Sequence, residues 1–153
     1  MAQIPFIPID ESRELAEDVR ALFEDLAASL DHQQRAYSGE CHPLLDVYET
    51  DAAVEVIVDV SGVPCDALRV LFRDGAVIIA GEKAPPPPSD AQTFHLVERE
   101  FGRFARAVRV HGAFDVRNAR ATLREGELSV RLPKLEERRG QAHRIAITPD
   151  QPA

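Results

Sequence analysis

The stretch LRVLFRDGAVIIAG, residues 68–81, decides the fold that this sequence adopts. At its centre, Asp74 and Gly75 form a dipeptide that favours a two-residue hairpin turn, because such turns need a left-handed backbone. Pairing the flanking residues across this turn separates the side chains into two faces, since successive residues of a strand point to opposite sides. The stretch therefore predicts a β-hairpin with one face in a core. The paired residues of that face are Phe72 with Val77 and Val70 with Ile79.

The opposite face of the hairpin carries a second apolar pair, Leu71 beside Ile78. Because the first face already supplies a core, this pair predicts one of two arrangements. Either it forms an exposed contact patch, or a flanking arm of the chain covers it.

The two-residue period continues on both sides of this hairpin. A second hairpin turns at Glu125 and Gly126 and pairs Leu123 with Leu128 and Ala121 with Val130. Many short strands with turns at this spacing, and no helical crossovers, predict an all-β fold: an antiparallel β-sandwich. The further predicted strands are residues 54–60, 104–110, 119–124 and 127–132.

The N-terminal region follows a helical period. From residue 12 to about residue 30, apolar residues recur at steps of three and four, which predicts an amphipathic helix capped by Asp10 or Ser12. Residues 31–41 are typical of a linker, residues 85–88 of a stiff proline spacer, and residues 94–98 could form a detached strand. The apolar face of the helix comprises Leu15, Val19, Leu22, Phe23, Leu26 and Leu30.

Composition excludes several classes of partner. The 153 residues carry a net charge of −8, which opposes binding to nucleic acid, whose phosphates need Lys and Arg. No apolar run is long enough for integral membrane association, and the N-terminus lacks the basic region of a secretory signal. A cytoplasmic location is expected. Cys41 and Cys65 lack a metal-ligand spacing and are interpreted as ordinary thiols.

The sequence offers little for catalysis. It contains no phosphate-binding GxxxxGK[ST] segment and no GxSxG elbow around Ser61. No cofactor, metal or catalytic residue is expected, because the histidines do not recur at metal-ligand spacing. They are His32, His42, His95, His111 and His143.

Four motifs occur in order along the centre of the chain, and together they identify a family. They are Asp59-Val60-Ser61-Gly62-Val63, then residues 68–75 followed by Ile79-Ala80-Gly81-Glu82-Lys83, then residues 98–106 (ERxxGxFxR), then residues 121–128 followed by Leu132-Pro133-Lys134. This region resembles the α-crystallin domain of the small heat-shock protein family, in its bacterial and plant form. Ser61 and Glu127 depart from the family's usual proline and valine.

The resemblance implies an ATP-independent holdase chaperone, which binds partly unfolded client proteins and prevents their aggregation under stress. It implies an immunoglobulin-like α-crystallin domain at residues 43–134, an N-terminal arm at residues 1–42 and a C-terminal extension at residues 135–153. It also implies self-association into dimers and larger homo-oligomers.

The tail segment Ile145-Ala146-Ile147 resembles the family's I-x-I anchor. Ile145 and Ile147 project on the same side of an extended segment, so both can fill one groove while the backbone adds to a sheet edge. The resemblance places that groove on a neighbouring subunit. Ile7-Pro8-Ile9 repeats the pattern and is expected to compete for it. The residues expected to line the groove are Leu68, Val70, Ala121 and Leu123.

Apolar residues of the N-terminal arm form the predicted client-binding surface. Burying each against a client contributes about 1.5–3 kcal/mol, so several contacts together give useful avidity. The alternative is that the helix packs on its own sandwich, and both arrangements can hold in different states. The predicted residues are Ile4, Phe6, Ile7, Ile9, Leu15, Val19, Leu22, Phe23 and Leu26.

A dimer interface is predicted around Arg106. This arginine alternates with Phe104 and Val108, so its charge falls on an apolar face and calls for a carboxylate partner. The resemblance implies a dimer that exchanges residues 94–98 between subunits, with a glutamate of the other subunit beside the arginine. The predicted interface residues are Phe94, Leu96, Glu98, Glu100 and Arg106.

One alternative comes from another functional class. β-sandwich adaptor modules that act as co-chaperones for a specific partner share this fold, and fold alone does not separate the two classes. Such adaptors generally lack both the I-x-I tail and the second hairpin motif, which this sequence has.

Overall fold

The computed structural model describes residues 9–29 and 39–135. Over these residues the chain forms one α-helix and seven β-strands, which pair into two antiparallel sheets. The predicted β-sandwich with an N-terminal helix is confirmed. The elements are α1 (Ile9–Ser29), β1 (Leu45–Glu49), β2 (Ala53–Asp59), β3 (Leu68–Arg73), β4 (Ala76–Lys83), β5 (Gly102–Arg109), β6 (Arg120–Arg124) and β7 (Glu127–Pro133).

The two hairpins have the register that their turns predict. Asp74 and Gly75 have φ values of 49° and 76°, and Glu125 and Gly126 have values of 51° and 83°. Both turns therefore use the left-handed backbone at both positions, which matches the twist of the flanking strands. The predicted cross-strand pairs are confirmed: Val70 with Ile79, Leu71 with Ile78, Phe72 with Val77, Ala121 with Val130, and Leu123 with Leu128.

The hydrophobic core lies between the inner faces of the sheets, whose strand orders are β3–β4–β5 and β1–β2–β7–β6. Val56 and Val58 of β2 are fully buried, while Glu55 and Ile57, which alternate with them, point outward and are half-buried. This alternation is typical of a strand with one solvent face. β4 is different, because four successive residues near its centre, inward and outward alike, are fully buried. They are Val77, Ile78, Ile79 and Ala80.

One flank of the sandwich is covered by the backbone that leads into β1. The Cys41 amide donates to the Arg103 carbonyl at 3.2 Å, and the Arg103 amide donates to the Gly39 carbonyl at 3.1 Å. This close approach needs glycine, because a Cβ on Gly102, where φ is 135°, would lie 2.0 Å from the Gly39 oxygen. The chain then enters β1, so β5 and β1 share this flank. The other two edge strands, β3 and β6, lie on the opposite flank.

Three features differ from the sequence predictions. α1 begins at Ile9, so Asp10 and Ser12 lie within its first turns and not at the position that precedes the helix. β1 was not predicted, because only Leu45 in it is partly buried and the apolar alternation is missing. Residues 94–98 form no strand in the described chain, because a detached segment has no neighbour with which to exchange ladder hydrogen bonds.

Candidate functional site

The N-terminal helix packs on the outer face of the β3–β4–β5 sheet. Ile78, which points away from the sandwich core, has no exposed surface, and Leu26 of α1 is only 1% exposed. The structure therefore favours the covered arrangement for the Leu71–Ile78 pair, with Leu71 half-buried. Four further apolar residues of the helix are half-buried: Leu15, Val19, Leu22 and Phe23.

Charged contacts fix the helix in place. Arg73 Nη1 lies 2.6 Å from Asp18 Oδ1, and the Asp18 side chain is only 11% exposed. Arg69 Nε donates to Asp25 Oδ2 at 2.5 Å, while its Nη2 donates to a serine hydroxyl in the last turn of the helix. The Arg103 guanidinium lies 5.6 Å from the centroid of a phenylalanine ring of the helix, a cation–π distance. Arginines of the sheet thus hold the helix at several points.

The predicted anchor groove corresponds to the flank where β3 and β6 are both edge strands. Val70 and Leu123 are partly buried against the core, and Ala121 is exposed. Leu68 is 7% exposed and belongs to the core, so it forms the base of this region. Among the described residues, each of these two strands has a hydrogen-bonded neighbour on one side only, which leaves backbone groups available to an added strand.

The predicted dimer residues occupy two different settings. Phe94 and Leu96 are 67% and 74% exposed in the irregular segment before β5, and Glu98 and Glu100 are exposed as well. Arg106 points toward the inner face and donates to the carbonyl of Pro43, which precedes β1. Within the described chain the arginine therefore binds a carbonyl and not the expected carboxylate. Its pairing with a glutamate of a second subunit stays a prediction.

No group of three or more His, Cys, Asp or Glu among residues 9–29 and 39–135 is placed to hold a metal ion. Burial raises the pKa of the Cys41 thiol; Lys83 opposes this rise and Glu100 adds to it. The thiol therefore stays protonated at neutral pH, unlike a nucleophilic cysteine. Within residues 9–29 and 39–135, no helix is both long enough and apolar enough to span a bilayer.

Several predicted site residues lie outside the described residues. They include both anchor isoleucines of the tail and the first part of the N-terminal arm, and the side chain of Ile9 is outside as well. The competition between Ile7-Pro8-Ile9 and the tail therefore stays a hypothesis. The residues outside are Ile4, Phe6, Ile7, Ile145 and Ile147.

A model of the Hsp20/alpha crystallin family matches residues 46–148. The chain belongs to this family. It is 30% identical to the 17.4 kDa class I heat shock protein of Arabidopsis thaliana over 105 residues, which cover 68% of this chain and 67% of that protein. It is 29% identical to Heat shock protein 16 of Schizosaccharomyces pombe over 120 residues, 77% of this chain and 84% of that protein.

Solved structures of the Hsp20/alpha crystallin family have the same fold. Heat shock protein 16.0 from Schizosaccharomyces pombe is 31% identical and matches with a TM-score of 0.62, covering 71% of this chain and 100% of that one. A small heat-shock protein from Xylella fastidiosa, described as having a distinct high order structure, matches with a TM-score of 0.53 at 26% identity, covering 74% and 95%. The prediction that this chain is a small heat-shock protein with an α-crystallin domain and a chaperone function is confirmed.

The sequence alone does not predict the ion pairs that hold the helix, which join Asp18 to Arg73 and Asp25 to Arg69. The signal that could have found them is the alternation of β3, where arginines share the outward face with Leu71. Arginines on the same face as an apolar residue indicate an acidic element packed there.

Proposed function

We propose that this chain is an ATP-independent holdase, which binds partly unfolded proteins through the apolar face of α1 and prevents their aggregation. The observation that carries the proposal is that this face is only partly used. Leu15, Val19, Leu22 and Phe23 are half-buried, so the helix offers apolar surface beyond what docking consumes. Each side chain fully buried against a client contributes about 1.5–3 kcal/mol.

An aggregation assay without nucleotide tests client capture. Turbidity of a heat-denatured client is recorded with full-length protein and with a variant carrying Val19→Asn and Leu22→Asn. We expect the variant to need several-fold more protein for the same suppression, because two apolar contacts are lost. The matched control carries Ala21→Asn and Glu24→Asn, on the exposed side of the same helix. Equal suppression by both variants would remove α1 from the client site.

The chain is further proposed to assemble by inserting Ile145 and Ile147 of one subunit between β3 and β6 of another. Both strands are edges on the same flank, and an extended segment can pair with either. The distinct high order structure described for the Xylella fastidiosa relative supports assembly beyond a single chain. A cytoplasmic location remains the expectation for such a chaperone.

Size-exclusion chromatography with light scattering tests assembly. Replacing Ile145 and Ile147 with Ala is expected to reduce the mass of the assembly, and Leu123→Glu in the groove is expected to do the same. Thr122→Glu is the control, because Thr122 points to the outer face of β6 and is exposed. If the tail variant keeps the wild-type mass, the anchor is not in the tail.

Exchange of residues 94–98 between subunits is proposed as the basis of the dimer. Phe94, Leu96 and Val97 are all more than 60% exposed in the single chain, which favours a partner surface. In mixed dimers of differently labelled chains, a label at residue 96 is expected to lie near β1 of the partner. A label near its own β1 alone would contradict the exchange.

A further inference from the structure

The outer face of the β3–β4–β5 sheet has a chemical pattern of its own. By strand register, its outward positions are small or apolar in the centre and charged at the ends of the strands, where four arginines and Glu82 lie. Glu82 Oε2 is 3.9 Å from Arg103 Nε. The central residues are Leu71, Ala76, Ile78, Ala80, Ala105 and Ala107. The arginines that frame them are Arg69, Arg73, Arg103 and Arg109, and we call these four the arginine frame.

The helix that lies on this face has the complementary charge. α1 contains seven carboxylate residues and only two arginines in 21 residues. Its Leu26 meets the face with almost no exposed surface, and two of its carboxylates pair with the arginine frame. The floor of small residues lets a helix approach closely, because alanine adds little height above the sheet.

The spacing of the paired groups also matches. Asp18 and Asp25 are seven residues apart, two helical turns or about 10 Å along one side of the helix. Arg69 and Arg73 are four residues apart on one face of a strand, about 13 Å. Asp18 pairs with Arg73 and Asp25 with Arg69, so the helix runs antiparallel to β3. Two independent pairs therefore define both its position and its direction.

We propose that the arginine-framed face is a docking surface for an acidic amphipathic helix, and that α1 occupies it in the resting chain as a detachable cover. When α1 detaches, its own apolar face and the Ile78 region become available together. The link to client capture rests on the proposed holdase function, whereas the docking itself does not. Raising the ionic strength screens the ion pairs and therefore favours detachment of α1.

The contact has the features of one that can open. One partner of each pair is exposed, Arg73 at 56% and Asp25 at 64%, while Asp18 and Arg69 are only 11% and 25% exposed. Water and salt therefore reach each pair from one side. A cleft of about 200 Å³ enters between α1 and the sheet, lined by Leu15, Asp18 and Ile78 among others. Ion pairs of this exposure are weak singly and are screened by salt. The two ion pairs thus add small, salt-sensitive terms to the apolar contact made by Leu26 and Ile78, and their loss weakens the docking of the helix.

Hydrogen exchange of the full-length chain, without client, tests the docking. Asp18→Asn with Asp25→Asn is expected to raise the exchange rate of α1 amides about tenfold, because both pairs are lost. Raising the salt from about 0.05 M to about 0.5 M is expected to act on wild type in the same direction and less on the variant. Protection of the β4 amides that face β5 is expected to persist, which shows that the sandwich remains folded.

The matched control removes two charges from the solvent side of the same helix. Glu17→Gln with Glu24→Gln is expected to leave α1 exchange at the wild-type rate, since Glu17 pairs only loosely, at 3.9 Å, with Arg13 of the helix itself. Asp18→Arg combined with Arg73→Asp is expected to recover the protection that either change alone removes. Equal exchange in test and control variants, or no effect of salt on wild type, overturns the proposal. Because no client is present, this result is independent of the aggregation assay.

Discussion

The two sheets of the sandwich have outer faces of opposite chemistry. On the β1–β2–β7–β6 sheet, the Tyr48 hydroxyl and the Arg131 guanidinium each donate to a carboxylate oxygen of Glu55 at 2.6 Å, on a face open to solvent. On the β3–β4–β5 sheet, the central outward residue is Ile78, which is fully buried next to α1. One face is therefore stabilised by a polar network in water, and the other by a separate element of the chain.

The residue pattern of a strand indicates whether its outer face is covered by another element. β2 alternates apolar and polar residues (AVEVIVD), apart from Ala53 and Ile57, as expected for one buried face. β4 begins with an uninterrupted apolar run (AVIIAG), which in an antiparallel sheet requires something on its second face. Since β4 is central and no third sheet is present in the described chain, the covering element is the helix.

The largest expected difference is between Ile78 and Ile57, which occupy outward positions on the two sheets. Ile78→Ala is expected to lower the free energy of unfolding by about 2–4 kcal/mol, because it leaves a cavity under α1. Ile57→Ala is expected to cost less than about 1 kcal/mol, because solvent reaches the vacated space. Urea unfolding at one fixed protein concentration measures both, since assembly adds to apparent stability. Equal losses would show that the two faces do not differ in cover.

A smaller difference is expected when a side chain is enlarged. Ala80 has no exposed surface beside α1, so Ala80→Leu is expected to cost about 1–3 kcal/mol or to displace the helix. Ser129→Leu, at the outward position of β7, is expected to stay within about 0.5 kcal/mol. Thermal unfolding measures the cost, and tryptic cleavage after the exposed Arg20 reports displacement of the helix. A tolerated leucine at Ala80 with an uncleaved helix would contradict tight packing there.

Much of the sandwich could be predicted because its signals are local. The Asp74-Gly75 and Glu125-Gly126 turns fix the register of four strands, and the period of two then assigns each residue to a face. β1 was not predicted because it is an exposed edge strand whose residues do not alternate between buried and exposed. The pairing of residues 39–41 with β5 also escaped, since it depends on two glycines brought together from distant parts of the chain.

The site was less predictable, because its parts meet only in the folded chain. Helical periodicity predicts the apolar face of α1 but does not locate the surface on which the helix docks. That surface is marked by Arg69 and Arg73 of β3, which pair with carboxylates of the helix. Alternation predicts that Arg106 shares a face with Phe104 and Val108, and this is confirmed. Alternation does not predict the hydrogen bond from Arg106 to the Pro43 carbonyl. The period of a strand predicts the face on which a side chain lies. The residue that it contacts on another element depends on tertiary packing.

The smallest expected effect concerns the polar face. Hydrogen bonds from Tyr48 and Arg131 lower the pKa of Glu55, and the same contact raises the pKa of Tyr48. A carboxylate with a lowered folded pKa adds stability above its unfolded pKa, and this contribution is lost as the pH falls through the folded value. Titrating the Glu55 carboxyl by NMR is expected to give a pKa below that of an unfolded peptide, and Arg131→Gln to move it upward.

Stability against pH gives the matching test on the whole chain. Below the unfolded pKa of the carboxyl, wild type is expected to lose slightly more stability on acidification than Glu55→Gln, because the amide has no charge to lose. Asp46→Asn is the control on the same outer face. The effect is expected to be small, since water screens an exposed network. If wild type and Glu55→Gln lose the same stability on acidification, the Glu55 network contributes nothing to the stability of the open face.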